Sequence, residues 1–384
     1  MTGLRIMQVL PDFDSGGVER ATHEIAAYLK KSGIDNIVCS SGGALVSELK
    51  KDGIRHITST MNSKNIFVML KNIYSIARLI KTNEIDIVHA RSRAPAWSCY
   101  FACMVMRCKF VTTFHAAYSA THPLKRFYNS IMLKGDKVIA ISNYIRKHIE
   151  TRYRFTSNKL EVIDEGVDLN YFNPKKINAD RLQLLNEVLD LNLKGEKLII
   201  LPARFTRLKG HLYLLKALKY VNYSHYKCLI IGKASDDKAS YLKEIDQAIK
   251  AAKLTDKVIV IKQPFNDMPA LYSIADIMIS ASTEPEGFGK TIIEAQAMNC
   301  MVISTNIGAP FDLIEDGKSG FLVPTSDAAT FAESIDHALN LAPAQRKKIV
   351  DYAAKIVKLK YSLEVMCQKT LAIYQNLFDG SDGK

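Results

Sequence analysis

Short continuous apolar runs, separated by helical patterns, constrain this chain more than any other feature. They occur in two sets. The first comprises residues 4–10, 34–40, 85–89, 109–113 and 137–141, with a closing run from Glu161; the second comprises 198–201, 228–231, 258–261, 277–279, 301–304 and 321–323. A strand apolar at nearly every position is covered on both faces, as strands of a parallel sheet are. Helical stretches between the runs then predict an α/β fold in two sets. Residues 175–196 are polar, helical and strand-free, which places a boundary there. The expected domains are 1–175 and 176–355, a division that 384 residues readily accommodate. Beyond Ser326 the chain reads as mostly helical to Phe378, with a frayed tail.

Apolar content of 48% and charged content of 24% are those of a globular chain and exclude disorder. The net charge of +13 is uneven: residues 1–180 carry 26 Lys+Arg against 16 Asp+Glu, and the remainder 26 against 23. A basic first half suits a phosphate-rich partner, whether nucleotide, lipid headgroup or nucleic acid. Nucleic acid is not expected, because no aromatic-interleaved basic motif or helix-turn-helix pattern is present. Seven cysteines, odd in number and without a CxxC pair, read as buried reduced thiols of a cytosolic protein. The chain opens directly into a strand pattern, so no signal peptide is expected. The longest apolar run, 94–106, is too short to span a bilayer and reads as a buried helix.

Residues 276–299 hold the sharpest local signal. A buried strand leads into a polar turn with Pro285, Gly287 and Gly289, then an apolar-periodic helix. That order points backbone N–H groups of a helix N-terminus at whatever lies above the strand, a geometry suited to an anion. Glu286 falls in the turn and Glu294 about two helical turns in, on a similar face. They suit a sugar and a ribose; the plainer alternative is a βα turn with solvated glutamates. Gly289-Lys290-Thr291 looks like the end of a P-loop, but Glu284 stands where that loop needs a glycine, and its charge would repel a triphosphate.

Other strand ends carry unusual residues, and ligands of open parallel sheets sit beyond the carboxyl ends of strands. Gly16 and Gly17 follow the first run and let a ligand approach the backbone, although the full GxGxxG pattern is absent. Asp12 and Asp14 form a DxD that holds a divalent metal in some nucleotide-sugar enzymes and also arises by chance. Arg91, Arg93 and His115 stand just beyond their runs; a lone histidine is as often structural. Arg204, Arg207 and Lys209 follow the first run of the second set, where cations suit a diphosphate or simply make a basic surface turn. In the helical stretch 65–81, Leu70, Ile73, Ala77 and Ile80 share one face. Lys64, Lys71 and Arg78 recur every seven residues on another, which reads as a solvated face or a membrane contact.

Together these motifs resemble the retaining glycosyltransferases of family 4, along nearly the whole chain. The marker is Glu286, seven residues, then Glu294, with Gly287-Phe288-Gly289 and Glu294-Ala295-Gln296-Ala297 around it. Gly16-Gly17, Arg204 with Lys209, and Gly166-Val167-Asp168 with Phe172 follow in the expected order. The resemblance implies the GT-B fold: two facing Rossmann-like domains with parallel sheets, an interdomain cleft, and a C-terminal helix, about 356–384, completing the first domain. It implies that Arg204 and Lys209 bind the donor diphosphate and that Glu294 binds the ribose. Glu286 would contact the donor sugar, aided by the backbone around Gly287, Phe288, Gly289 and Thr291. Gly16 and Gly17 would lie against the sugar-phosphate, and His115 would reach the sugar near the reacting carbon. No metal or other cofactor is implied, which disfavours the DxD assignment. One departure is Glu165, where family members often have Asn before Gly-Val-Asp.

The expected activity is transfer of a hexose or N-acetylhexosamine from a UDP- or GDP-sugar to a hydroxyl of a lipid-linked or surface glycan such as lipopolysaccharide. The expected location is cytoplasmic, with peripheral contact at the inner leaflet open. Arg91, Arg93, Lys125 and Arg126 are the candidates for acceptor or membrane contact. The alternatives are a GT-B hydrolase or epimerase, and a non-catalytic nucleotide-sugar-binding protein.

Overall fold

The computed structural model describes residues 3–14, 16–63, 65–191, 193–233, 239–263 and 265–380. The chain divides into two compact units. One runs to Gly166 and resumes at Leu363; the other is Val167–Ser362. The crossings therefore fall at 166 and 362, against 175 and about 356 expected from sequence. Lys64, one of the expected basic stripe, lies outside the described residues.

Among its described residues the first unit has seven parallel strands: β1 (Arg5–Val9), β2 (Asp35–Ser40), β3 (Arg55–Thr58), β4 (Ile87–Ala90), β5 (Lys109–Phe114), β6 (Lys137–Ala140) and β7 (Leu160–Val162). Their order is β3-β2-β1-β4-β5-β6-β7. The helix Leu363–Asp379 returns to this unit and packs on the helix Gly17–Lys31. It buries Met366, Ile373 and Tyr374 in one cluster with Ile6, Ile25 and Leu29. Tyr374 also holds an internal polar pair: its hydroxyl lies 2.6 Å from His89 Nδ1, while His89 Nε2 lies 2.7 Å from Thr113 Oγ1. Burial, with Arg91 nearby, pushes the His89 pKa well down, so the ring is neutral.

Among its described residues the second unit has six parallel strands: β8 (Lys197–Pro202), β9 (Tyr226–Ile231), β10 (Val258–Ile261), β11 (Ile277–Ser280), β12 (Met301–Thr305) and β13 (Phe321–Val323), in the order β10-β9-β8-β11-β12-β13. Ile199, Leu201, Ile230, Ile277, Ile279 and Ile303 join Leu214, Leu218, Phe331 and Ile335 of the covering helices in one core. Both sheets are Rossmann-like. Strand order reverses between β1 and β4 in one and between β8 and β11 in the other, which places ligand crevices at those carboxyl ends.

Three sequence expectations need correction. Strand β3 has no continuous apolar run; it is an edge strand, half-buried and half-exposed, so the pattern of a doubly covered strand does not apply. In the helix Ile66–Thr82, Leu70 is 55% exposed rather than buried, and the buried face carries Asn72, Ile76 and Ile80. Asn72 is satisfied there by donating to the Thr60 carbonyl at 2.6 Å. The helix Arg93–Met106 buries Ala96, Cys99 and Ala102 but leaves Phe101, Met104 and Val105 exposed, so it is not buried all round. Among the described residues no helix is long and apolar enough to cross a membrane. All seven cysteines are unbridged and all but the partly buried Cys108 are buried; burial pushes the thiols of Cys39, Cys228 and Cys300 up to about 12.

Candidate functional site

The best-formed constellation stands at the carboxyl ends of β8 and β11, neighbours at the point where strand order reverses. Glycines set its geometry. Gly210 has φ of +69°, and a Cβ there would lie 1.8 Å from the Ala281 carbonyl oxygen. Only glycine lets the turn after β8 lie this close to the segment leaving β11. Thr283 N–H donates to the Leu208 carbonyl at 2.9 Å and fastens the two segments. The result is a side-chain contact: Lys209 Nζ lies 2.7 Å from Glu286 Oε2.

Glu286 is fixed from several sides. The Ser282 hydroxyl donates to its other carboxylate oxygen. Its backbone pairs with Gly308, and Ala309 N–H donates to its carbonyl at 3.0 Å. Gly308 has φ of +78°, and a Cβ there would lie 2.6 Å from Glu286 N, so a larger residue would push this loop away. Gly289, at φ +124°, then caps the helix Lys290–Ala297. That helix starts only at Lys290, so Glu294 stands just over one turn inside it, not two as expected. Glu294 is 9% exposed and accepts from the Tyr272 hydroxyl at 3.2 Å. Burial and the Glu294 charge push the Tyr272 pKa well up, keeping the phenol a donor. The Tyr272 ring in turn packs 6.2 Å from Phe172.

The remaining candidates in this unit fall into three groups. Gly287 and Thr291 are half-buried beside the helix N-terminus, and Phe288 is buried edge-on against Tyr361. Arg204 is exposed, and no ion pair to it is found among the described residues. Arg207 is engaged elsewhere: its guanidinium meets Glu244 at 3.0 and 2.6 Å and lies over the Tyr241 ring. In the basic turn, then, Lys209 is paired with Glu286 and Arg207 with Glu244, and Arg204 stands exposed.

In the first unit, His115 follows β5 with its side chain buried and Nδ1 3.4 Å from Glu165 Oε1. Gly16 caps the helix Gly17–Lys31 in extended backbone, and a Cβ on Gly17 would meet nothing within 4 Å. Two of the expected surface cations need correction. Arg91 is 3% exposed, with its guanidinium on Gln8 Oε1 at 2.6 and 3.2 Å, and desolvation lowers its pKa. Arg93 donates to Asn129 at 3.0 Å and lies over the Tyr118 ring. Arg91 is an internal fastener, and Arg93 is half-buried in its contacts. Lys125 and Arg126 are exposed on the helix Pro123–Ser130. Asp12 and Asp14 accept from Asn62 Nδ2 and Ala44 N at 2.9 and 3.0 Å.

Sequence reasoning missed Ser282 and Tyr272 as partners of the two glutamates, and Glu165 as the partner of His115. Ser282 had a usable signal, as a polar residue just past a buried strand. Tyr272 had none, because its link to Glu294 is made across two helices.

Residues 15–171 match the family model described as Glycosyltransferase Family 4, and residues 189–356 match Glycosyl transferases group 1. A crystal structure of a glycosyltransferase from Rickettsia africae ESF-5 is 41% identical, covers 98% of this chain and 99% of that one, and superposes with a TM-score of 0.92. The chain belongs to the family 4 glycosyltransferases of the GT-B type. Glycosyltransferase relatives also occur in surface-polysaccharide synthesis. The capsular polysaccharide biosynthesis glycosyltransferase CapM of Staphylococcus aureus is 23% identical, over 93% of this chain and 94% of that protein. The UDP-Gal:alpha-D-GlcNAc-diphosphoundecaprenol alpha-1,3-galactosyltransferase of Escherichia coli is 24% identical, over 87% and 89%. In this glycosyltransferase the group 1 match contains the whole Lys209–Glu286–Glu294 constellation.

Proposed function

We propose that this glycosyltransferase moves a hexose or N-acetylhexosamine from a UDP- or GDP-sugar to a hydroxyl of a lipid-linked or surface glycan, with retention and without a metal. The observation that carries the proposal is the 2.7 Å contact of Lys209 with Glu286 at the reversal point of the sheet. It sets a cation and a carboxylate side by side at a helix N-terminus. A nucleotide-sugar presents the matching pair, an anionic diphosphate joined to a hydroxyl-rich ring.

In this assignment Lys209 and Arg204 bind the diphosphate, with the N–H groups at the start of the helix Lys290–Ala297 adding positive potential. The backbone of Gly287, Phe288, Gly289 and Thr291 closes the site, Glu286 accepts from sugar hydroxyls and Glu294 from the ribose. As the anomeric carbon–oxygen bond breaks, charge grows on the leaving phosphate, where the cations already stand. The acceptor hydroxyl attacks from the same face and its proton passes to a leaving phosphate oxygen. A new glycosidic bond replaces the old one, and the nucleoside diphosphate departs. Two cations and a helix N-terminus supply the charge that a metal would otherwise bring. His115, Gly16 and Gly17 are assigned to the donor sugar on the family resemblance, and the reaction is placed in the cytoplasm. The E. coli relative's diphosphoundecaprenol-linked acceptor, together with the basic first half, supports a lipid-linked acceptor here.

The test is release of UDP or GDP from a panel of sugar donors, in EDTA, with and without lipid-linked acceptor glycans. Release that requires the acceptor is expected. Release without acceptor would make the protein a hydrolase, and binding without release would make it a non-catalytic binder.

A further inference from the structure

Three helices of the first unit share a face that the donor chemistry does not use. The helix Ile66–Thr82 packs on the helix Arg93–Met106, and Ser98 Oγ donates to the Met69 carbonyl at 3.0 Å. Trp97 joins the second helix to the third, Pro123–Ser130: its ring centroid lies 5.5 Å from that of Phe127, and its indole N–H donates to the Tyr128 carbonyl at 3.2 Å.

The outer surface of this group is apolar. Phe67, Leu70 and Tyr74 of the first helix are 78%, 55% and 73% exposed. Met104 and Val105 of the second are 60% and 72% exposed, and Leu124 and Phe127 of the third 73% and 66%. Single exposed apolar residues need no explanation, but a cluster of this size on adjoining helices marks a contact surface.

Its charge is one-sided. Lys71, Arg78, Arg107, Lys125 and Arg126 are exposed on or at the ends of these helices, and none of the three helices contains Asp or Glu. Between Gly53 and Gly135 the only acidic residues are Glu84 and Asp86, both engaged by Arg5. Phe67, Lys71, Tyr74 and Arg78 fall on one stripe of the first helix, so cations and aromatics face the same way.

We propose that this face docks on the surface of an anionic bilayer. A second copy of the chain would bring the same cations against these, with no carboxylate on any of the three helices to meet them. An anionic lipid surface satisfies both halves of the pattern. Headgroup phosphates meet the cations, and aromatic and aliphatic side chains enter the interface, as in helices that lie on rather than cross a membrane.

Trp97 is the only tryptophan of the chain and stands within this face, so its emission reports on it. The full chain is mixed with phosphatidylglycerol-containing vesicles, or with pure phosphatidylcholine vesicles, and sedimented. Co-sedimentation with the anionic vesicles, a blue shift of Trp97 emission and its quenching by brominated lipid are expected, with weakening in high salt. Lys71→Gln with Arg78→Gln should weaken binding about 25-fold, at about fivefold per cation. Phe67→Ser with Tyr74→Ser and Val105→Ser should abolish it while leaving the unfolding midpoint and donor binding unchanged. Failure to sediment with anionic vesicles would overturn the proposal. So would sedimentation with no change in Trp97 emission, or self-association without lipid that the serine variant removes.

Discussion

Replacing Glu286 by Gln separates two roles that the Lys209–Glu286 contact combines. The side chains are 21% and 16% exposed for Lys209 and Glu286 respectively, so the contact is largely shielded. Gln keeps the length; its carbonyl oxygen can accept from Lys209, and its amide N–H can donate to the Ser282 hydroxyl, so the loop should stay in place. What disappears is the negative charge. A hydrogen bond to a charged acceptor contributes about 2 kcal/mol, which corresponds to a loss of about 30-fold in kcat if Glu286 holds sugar hydroxyls in the transition state. Nucleotide affinity should move the other way or not at all. The Lys209 ammonium loses its compensating partner at 2.7 Å and becomes more available to a diphosphate. The expected result is a kcat down about 30-fold in an acceptor-dependent release assay, with the calorimetric Kd for UDP or GDP unchanged or lower. A Kd raised tenfold with kcat intact would refute these roles.

Glu294→Ala should do the reverse, weakening nucleotide binding about 30-fold by calorimetry while kcat at saturating donor stays within about threefold. Gly210→Ala combines a left-handed φ with a Cβ 1.8 Å from a carbonyl oxygen. It should cost more than about 2 kcal/mol, lower the melting temperature of the second unit by several degrees and weaken nucleotide binding by displacing Lys209. His211 is fully buried against Phe205, and burial lowers its pKa from 6.5 to about 4. Its neutral form is the folded one, so its contribution is complete above pH 6.5 and is lost as pH falls toward 4, by about 3 kcal/mol. Urea unfolding at pH 7.5 and 4.5 should show that loss in the wild type and less of it in His211→Phe; an equal loss of unfolding free energy in the two proteins would contradict it.

Much of this architecture is legible in sequence because strands covered on both faces leave continuous apolar runs, as at 198–201 and 277–279. The edge strand β3 left no such run. The helix faces misled for a related reason. Asn72 is buried on a carbonyl bond invisible in sequence, while Leu70 and Tyr74 are turned outward. Charged side chains were the least legible, because pairing depends on distant partners. Arg91 looks like a surface cation yet is buried on Gln8, and Arg207, though exposed, is paired with Glu244. The spacing of Glu286 and Glu294 could be read directly, but their fastening by Ser282 and Tyr272 depends on tertiary geometry.

A crystal structure of the chain with UDP or GDP bound tests the central claim most directly. The diphosphate should lie within hydrogen-bonding distance of Lys209 Nζ and the Arg204 guanidinium, and the ribose hydroxyls on the Glu294 carboxylate. A nucleotide bound elsewhere, or bound with its ribose away from Glu294, would contradict the donor site described above.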